Sequence, residues 1–276
     1  MSMTKTDISS FQDTVWNHYK ANGRHDLPWR TPKDDGTYDP YKVLVSELML
    51  QQTQVPRVIP KFIEFTTVYP SFDALAVAPL SDVLKLWSGL GYNRRAKFLL
   101  QTAQLVKDQY AGNLPSEHSE LITLPGVGHN TAGAIRAYAF NEPVVFVETN
   151  IRTVFIHHFF PEEDKVHDNV LLPLIEASNP EGETRSWYWA LMDYGTHLKQ
   201  TVGNVSKSSA SYAKQSTFKG SRRQIRGQIL KLLAEGPYSQ KQLAGTIEDE
   251  RLESVLEDLI AEGFIERDGS HYQLYT

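Results

Sequence analysis

Two glutamates carry the side chains of this 276-residue chain best suited to chemistry. Glu47 lies in VLVSELML, with apolar neighbours around it on every face of a helix. Ionising a carboxyl there is unfavourable unless it finds a partner. Desolvation raises its pKa and makes it an acid at neutral pH. A glutamate satisfied by a nearby helix end or arginine is the other reading of the same residues. Glu148 stands in VFVETNIRTVF, where a short extended run delivers it, with Thr149 and Asn150, to the mouth of a helix. It reads either as a capping carboxylate or as an anion beside a developing cation. Two carboxyls, one protonated and one ionised, suit departure of a leaving group from a sugar through an oxocarbenium-like state.

A third stretch, LPGVGHNTAGAIRAYAF, covers residues 124–140. Pro125 fixes a turn, and Gly126 and Gly128 clear side chains from backbone N–H groups at the start of a helix. Such a nest, with the helix dipole behind it, binds phosphate without a charged side chain. An ordinary interhelical turn is the alternative. The formal net charge is −5, yet from Thr196 to Ala234 there is no Asp or Glu, and Lys199, Lys207, Lys214, Lys219, Arg222, Arg223, Arg226 and Lys231 fall in that span. This strip reads as a polyanion footprint or as a solvated linker. Lys207, Lys214, Arg222 and Arg223 are its candidate phosphate contacts.

There is no cysteine, which excludes disulfides, thiolate zinc sites, cysteine-ligated iron–sulfur clusters and cysteine nucleophiles. His157 and His158 are adjacent, so they splay to different helix faces and read as a helix end or packed pair rather than a metal site. No apolar run is long enough to span a bilayer and the N-terminal stretch lacks a signal-peptide core. The expectation is a cytoplasmic protein, nucleoid-associated if bacterial, with no membrane partner.

Helical periodicity dominates the segments that must position these residues. Helices are expected over 7–22, 41–55, 56–68, 72–77, 80–88, 92–110, 117–123, 129–140, 149–158, 166–178 and 183–198, an all-α body filling residues 1–200. Residues 201–221 turn to Ser, Lys and Gly and read as a basic linker or loop. Residues 222–276 give three helices and a hairpin turning at Asp268-Gly269, a winged-helix-like unit. The third of these helices, in EDERLESVLEDLI, is too acidic to enter a DNA groove. The tail therefore reads as a packing unit or a contact for an unknown protein partner.

Taken together, LPWR, PYKVLVSELMLQQTQVPRVIPKFIEF, LWSGLGYNRRAKFL, LPGVGHNTAGAI and ALMDYG resemble the helix-hairpin-helix DNA glycosylases, and within them the adenine DNA glycosylase (MutY) family. The resemblance covers about residues 8–200. It implies two α-helical lobes with the hairpin at 122–130, and a flipped nucleotide as substrate. By the family's motifs, Glu47 is the acid that protonates the leaving base, Gln51 and Tyr92 wedge into the duplex, and Arg30 and Leu50 lie near the extruded base. Gly126 and Gly128 supply phosphate-gripping amides. The carbonyls of Ile122, Leu124 and Val127 hold a K⁺ or Na⁺ ion. Asn130 stands where bifunctional members carry a catalytic lysine, and an amide cannot form a Schiff base.

The sequence also departs from the family. Glu148 replaces an aspartate, while Asn150 is kept. The cluster cysteines are missing, and residues 199–226 stand in their place. Trp189 replaces an adenine-contacting Gln or Glu. The C-terminal unit stands where the family has an 8-oxoguanine-reading domain. The expected activity is monofunctional excision of adenine opposite guanine or 8-oxoguanine, by a monomer acting on double-stranded DNA without an iron–sulfur cluster. The alternatives are a glycosylase for mismatched thymine, uracil or an alkylated base, a catalytically silent DNA-structure binder, and a winged-helix transcription factor.

Overall fold

A computed structural model describes residues 5–214 and 217–275. Residues 215 and 216 of the expected linker lie outside the described residues. The chain forms two compact units: residues 1–47, 116–123 and 127–214, and residues 48–115, 124–126 and 215–276.

The first unit holds α1 (Lys5–Asn22), a 3₁₀ turn (Pro28–Arg30), most of α2 (Pro40–Leu50), α7 (His118–Leu121), α8 (His129–Phe140), α9 (Thr149–Phe159), α10 (Asp168–Ser178) and α11 (Thr184–Thr201). Helix α11 packs on α9, α1 and α8. Its Trp187 and Tyr188 are fully buried, as is Phe155 of α9. Phe11 of α1 meets Phe155, Phe159 and Trp187 with ring centroids 5.0–5.9 Å apart. Each such buried ring contributes about 1.5–3 kcal/mol of transfer free energy. Gly195 sets the closeness of α11 to α9, since a Cβ there would stand 2.5 Å from the Asn150 carbonyl oxygen. A second 3₁₀ turn, Val205–Ser208, packs on α9. Backbone bonds from Val166 N–H to Ser208 O (2.8 Å) and from Ala210 N–H to Val166 O (2.9 Å) tie that segment down.

The second unit holds α3 (Val55–Val68), α4 (Phe72–Ala76), α5 (Leu80–Trp87) and α6 (Arg94–Tyr110), together with the C-terminal α12 (Arg222–Leu233), β1 (Tyr238–Ser239), α13 (Gln240–Thr246), α14 (Leu252–Ala261), β2 (Ile265–Asp268) and β3 (His271–Leu274). Leu252, Val255, Leu256 and Leu259 form the buried stripe of α14, the spacing of one amphipathic face. The strands make an antiparallel sheet in the order β1-β3-β2. The hairpin turn falls one residue later than its sequence suggests. Asp268 still pairs with His271, and Gly269 and Ser270 form the loop, with Gly269 at φ +57°. Glycine leads because it accepts that conformation without a steric penalty.

The apolar run expected as one helix over 41–55 stops at Leu50. Gln52 is left-handed at φ +56°, and Pro56 opens the next helix. The buried Arg95 closes the end of α2 by donating Nη1 to the carbonyls of Leu48 (2.7 Å), Met49 (2.8 Å) and Gln51 (2.7 Å). Terminal carbonyls left over from a helix thus gain a charged donor.

Candidate active site

In the first unit Glu47, Glu148, Asn150, Arg30 and Trp189 converge. Glu47 sits in the third turn of α2, which is buried almost all round, yet part of the residue remains accessible. Burial, and secondarily the charge of Glu148, pushes its carboxyl up to about 8, with Arg30 opposing. Glu148 caps α9: its Oε1 accepts from the Asn150 N–H and, at 2.9 Å, from the Ile151 N–H. Its Oε2 receives the long 3.5 Å approach of Asn150 Nδ2. Burial raises this carboxyl too, against the two capping bonds, Lys199 and Arg152. Two neighbouring carboxyls cannot both ionise readily. Of the two, Glu47 is the one whose carboxyl burial and its neighbour push up to about 8.

The run before Glu148 is extended without being a strand. Tyr188 substitutes for a neighbouring strand, with its hydroxyl donating to Val144 O (2.9 Å) and accepting from Phe146 N–H (3.4 Å).

Arg30 is held by Asp193 through Nη1 (2.8 Å) and Nη2 (2.9 Å), and Arg24 donates to the same carboxylate. Burial pushes Asp193 up, but the bonds and charges of Arg30 and Arg24 prevail and keep it ionised. Arg30 Nε is buried with no partner, and the guanidinium lies 5.2 Å from the Trp189 ring centroid. Trp189 is itself enclosed, stacked on Tyr138 (5.9 Å) and edge-on to Tyr38 (5.2 Å). Sequence reasoning gave no site role to Asp193, Arg24 or Tyr138, and read Lys199 only as part of the basic strip. Asp193 had a signal, because an arginine in a buried site is most often met by a carboxylate and ALMDYG contains one.

The other candidates divide between the units. Gly128 is the exposed N-cap of α8, without a side-chain cap, and Asn130 is exposed on its first turn. Lys207 and Lys214 are exposed in the first unit. Leu50, Gln51, Tyr92 and Gly126 belong to the second. There Gln51 Nε2 approaches Gly126 O at 3.4 Å, and Gly126 turns the chain at φ +79°. Arg223 donates to the Tyr92 hydroxyl, and Arg222 pairs with Asp258 at 2.7 Å. Lys207 and Lys214 lie in one unit, and Arg222 and Arg223 in the other, where both arginines are engaged with protein groups. Of the histidine pair, His158 meets the Tyr194 hydroxyl at 3.0 Å, and burial holds it near 4. Among the described residues no group of three acidic, histidine or cysteine side chains could hold a metal ion, and no helix is long and apolar enough to cross a membrane.

Residues 45–176 match the HhH-GPD superfamily of base excision DNA repair proteins. An adenine DNA glycosylase from Buchnera aphidicola subsp. Baizongia pistaciae is 39% identical over 186 residues, covering 67% of this chain. The chain spans only about half, 52%, of that relative's length. The adenine DNA glycosylase of Mycobacterium tuberculosis H37Rv is 32% identical over 283 residues, covering 92% of this chain and 90% of the relative. Among solved structures, a thermostable thymine-DNA glycosylase is similar with a TM-score of 0.61 and 27% identity, over 70% of this chain and 88% of that one. The helical architecture is that of the helix-hairpin-helix glycosylases, and the chain belongs to the adenine DNA glycosylase family within the HhH-GPD superfamily.

Proposed function

We propose that the chain is a monofunctional DNA N-glycosylase that releases adenine mispaired with guanine or 8-oxoguanine in double-stranded DNA. The observation that carries this reading is the placement in the first unit of a desolvated Glu47, its carboxyl pushed up to about 8, in the field of Glu148 at the cap of α9. Glu47 delivers its proton to a ring nitrogen of the flipped base as the bond from C1′ to the base breaks. Glu148 stabilises the sugar cation through the oxygen not engaged in capping. Water adds to C1′ and loses a proton, leaving an abasic site. The exposed N-terminus of α8 at Gly128 suits a backbone phosphate. Gln51 and Tyr92 act as the wedge, and Arg30 lies near the extruded base.

A different target base, mismatched thymine or uracil, is the second reading. It is favoured by Trp189, whose indole can donate one hydrogen bond but cannot accept one from an exocyclic amine. The experiment is single-turnover incubation with duplexes carrying single mismatches and lesions, followed by alkaline cleavage of abasic sites. Release of adenine opposite guanine or 8-oxoguanine, without a covalent complex trapped by borohydride, is the expected result. Release of thymine or uracil alone selects the second reading, and release of nothing refutes both.

A further inference from the structure

Helix α11 turns one face toward the start of α9. Met192, Gly195 and Lys199 lie on it at i, i+3 and i+7, the spacing of a single helical stripe. All three meet Asn150. Met192 Sδ is 3.8 Å from its Nδ2. Gly195 lacks the Cβ that would strike its carbonyl. Lys199 Nζ donates to its Oδ1 at 2.7 Å. Asn150 then presents its amide nitrogen to Glu148 Oε2. Lysine, amide and carboxylate form a relay whose polarity runs one way: the ammonium fixes which end of the Asn150 amide is oxygen, and so directs its N–H₂ toward Glu148.

The charges around Glu148 leave Lys199 with a distinct role. Glu47 faces it from α2, Tyr138 from α8, Arg152 from α9 and Lys199 from α11. Arg152 is engaged by Asp168, with Nε at 2.7 Å and Nη2 at 2.8 Å. Lys199 forms no ion pair among the described residues; its bond is to a neutral amide. Its charge is therefore available to the carboxylate beyond.

We propose that Lys199 is a positioning residue for Glu148, holding that carboxylate ionised and oriented through Asn150. This rests on the proposed glycosylase function and assigns it a component on α11. Burial lowers the ammonium's own affinity for its proton, and Glu148 opposes that loss, so each charge supports the other.

The test compares wild type with Lys199→Met, Lys199→Gln and Lys199→Arg. Base release under single turnover is measured across pH on a duplex holding adenine opposite 8-oxoguanine. Glu148 is titrated separately by carbon NMR of glutamate-labelled protein without DNA, with Glu148→Gln as the assignment control. Loss of the charge raises the carboxyl pKa, so the acidic limb of the rate profile moves to higher pH by about one unit. The deficit is then largest at low pH, about tenfold, and closes as pH rises. Lys199→Gln, which keeps a donor but no charge, shifts like Lys199→Met, and Lys199→Arg restores the wild-type limb. The NMR titration moves in the same direction. An unmoved limb and an unmoved titration in folded Lys199→Gln overturn the proposal and leave Lys199 a packing residue. If wild type releases no base, the functional reading fails by itself, and the titration still decides whether Lys199 governs Glu148.

Discussion

Each unit contains one carboxylate held between two arginines, and the two knots differ in depth. In the first unit Asp193 joins Arg24 and Arg30, with side-chain exposures of 2%, 29% and 5%. In the second, Glu262 of the α14 C-cap joins Arg94 of α6 and Arg226 of α12, with exposures of 22%, 64% and 19%. Burial opposes ionisation strongly at Asp193, so its several bonds leave it only lowered. Glu262 is less desolvated, and the bonds of Arg94 and Arg226 take it down to about 2. The deep knot orients Arg30 beside Glu47. The shallow one pins the acidic C-terminal helix to α6 and α12. The same chemical group thus serves a site in one unit and docking in the other.

Glu47→Gln breaks the deep region's chemistry and carries the largest expected effect. Base release falls by about 10²–10⁴-fold, the usual contribution of a general acid, while duplex binding is retained in a gel-shift titration. In wild type only protonated Glu47 can act as the acid, so the rate declines as pH rises through about 8. That alkaline limb disappears in the variant.

Asp193→Asn comes next. It leaves two arginines without their anion, one of them buried, and destabilises the fold by about 3–5 kcal/mol in denaturant unfolding. Glu262→Gln sharpens the contrast, with a loss of about 1 kcal/mol or less that shrinks further in high salt. Because the folded-state pKa of Glu262 is depressed, its contribution is present above the usual glutamate range and fades as pH falls toward about 2. Equal losses from the two variants would erase the distinction between the knots.

The smallest effect is expected from Lys207 and Lys214, which are exposed on the first unit. Neutralising both weakens DNA binding evenly across sequences. It also flattens the dependence of affinity on salt by about one slope unit per contact. An unchanged slope would remove both from the interface.

Sequence pattern reached the helices because apolar spacing is local information. LPGVG followed by an Ala-rich stretch located α8 at His129–Phe140. It also singled out Glu47 and Glu148, since an acidic residue in an apolar helix or at a helix mouth is visible without a fold. It did not reach the end of α2, where a buried arginine from α6 and a left-handed Gln52 override an unbroken apolar run. Nor did it reach Asp193 with Arg30, 163 residues apart, or Lys199 with Asn150, 49 apart. Such pairs exist only once helices cross, and the crossing of α9 and α11 depends on the absence of one methyl group at Gly195.

The segment from Pro143 to Val147 places strand-forming residues outside any sheet. Val144, Val145, Phe146 and Val147 are strong strand formers, yet they sit in no sheet. A run of that composition with unpaired backbone groups is a template for another copy of itself. The Tyr188 hydroxyl occupies both the Val144 carbonyl and the Phe146 amide, and Pro143 ahead of them offers no N–H for a ladder. Val144, Phe146 and Val147 are themselves buried, so a single phenol meets backbone needs that other folds meet with a whole strand, and removing its oxygen would leave the Val144 carbonyl and the Phe146 amide without that partner inside the unit.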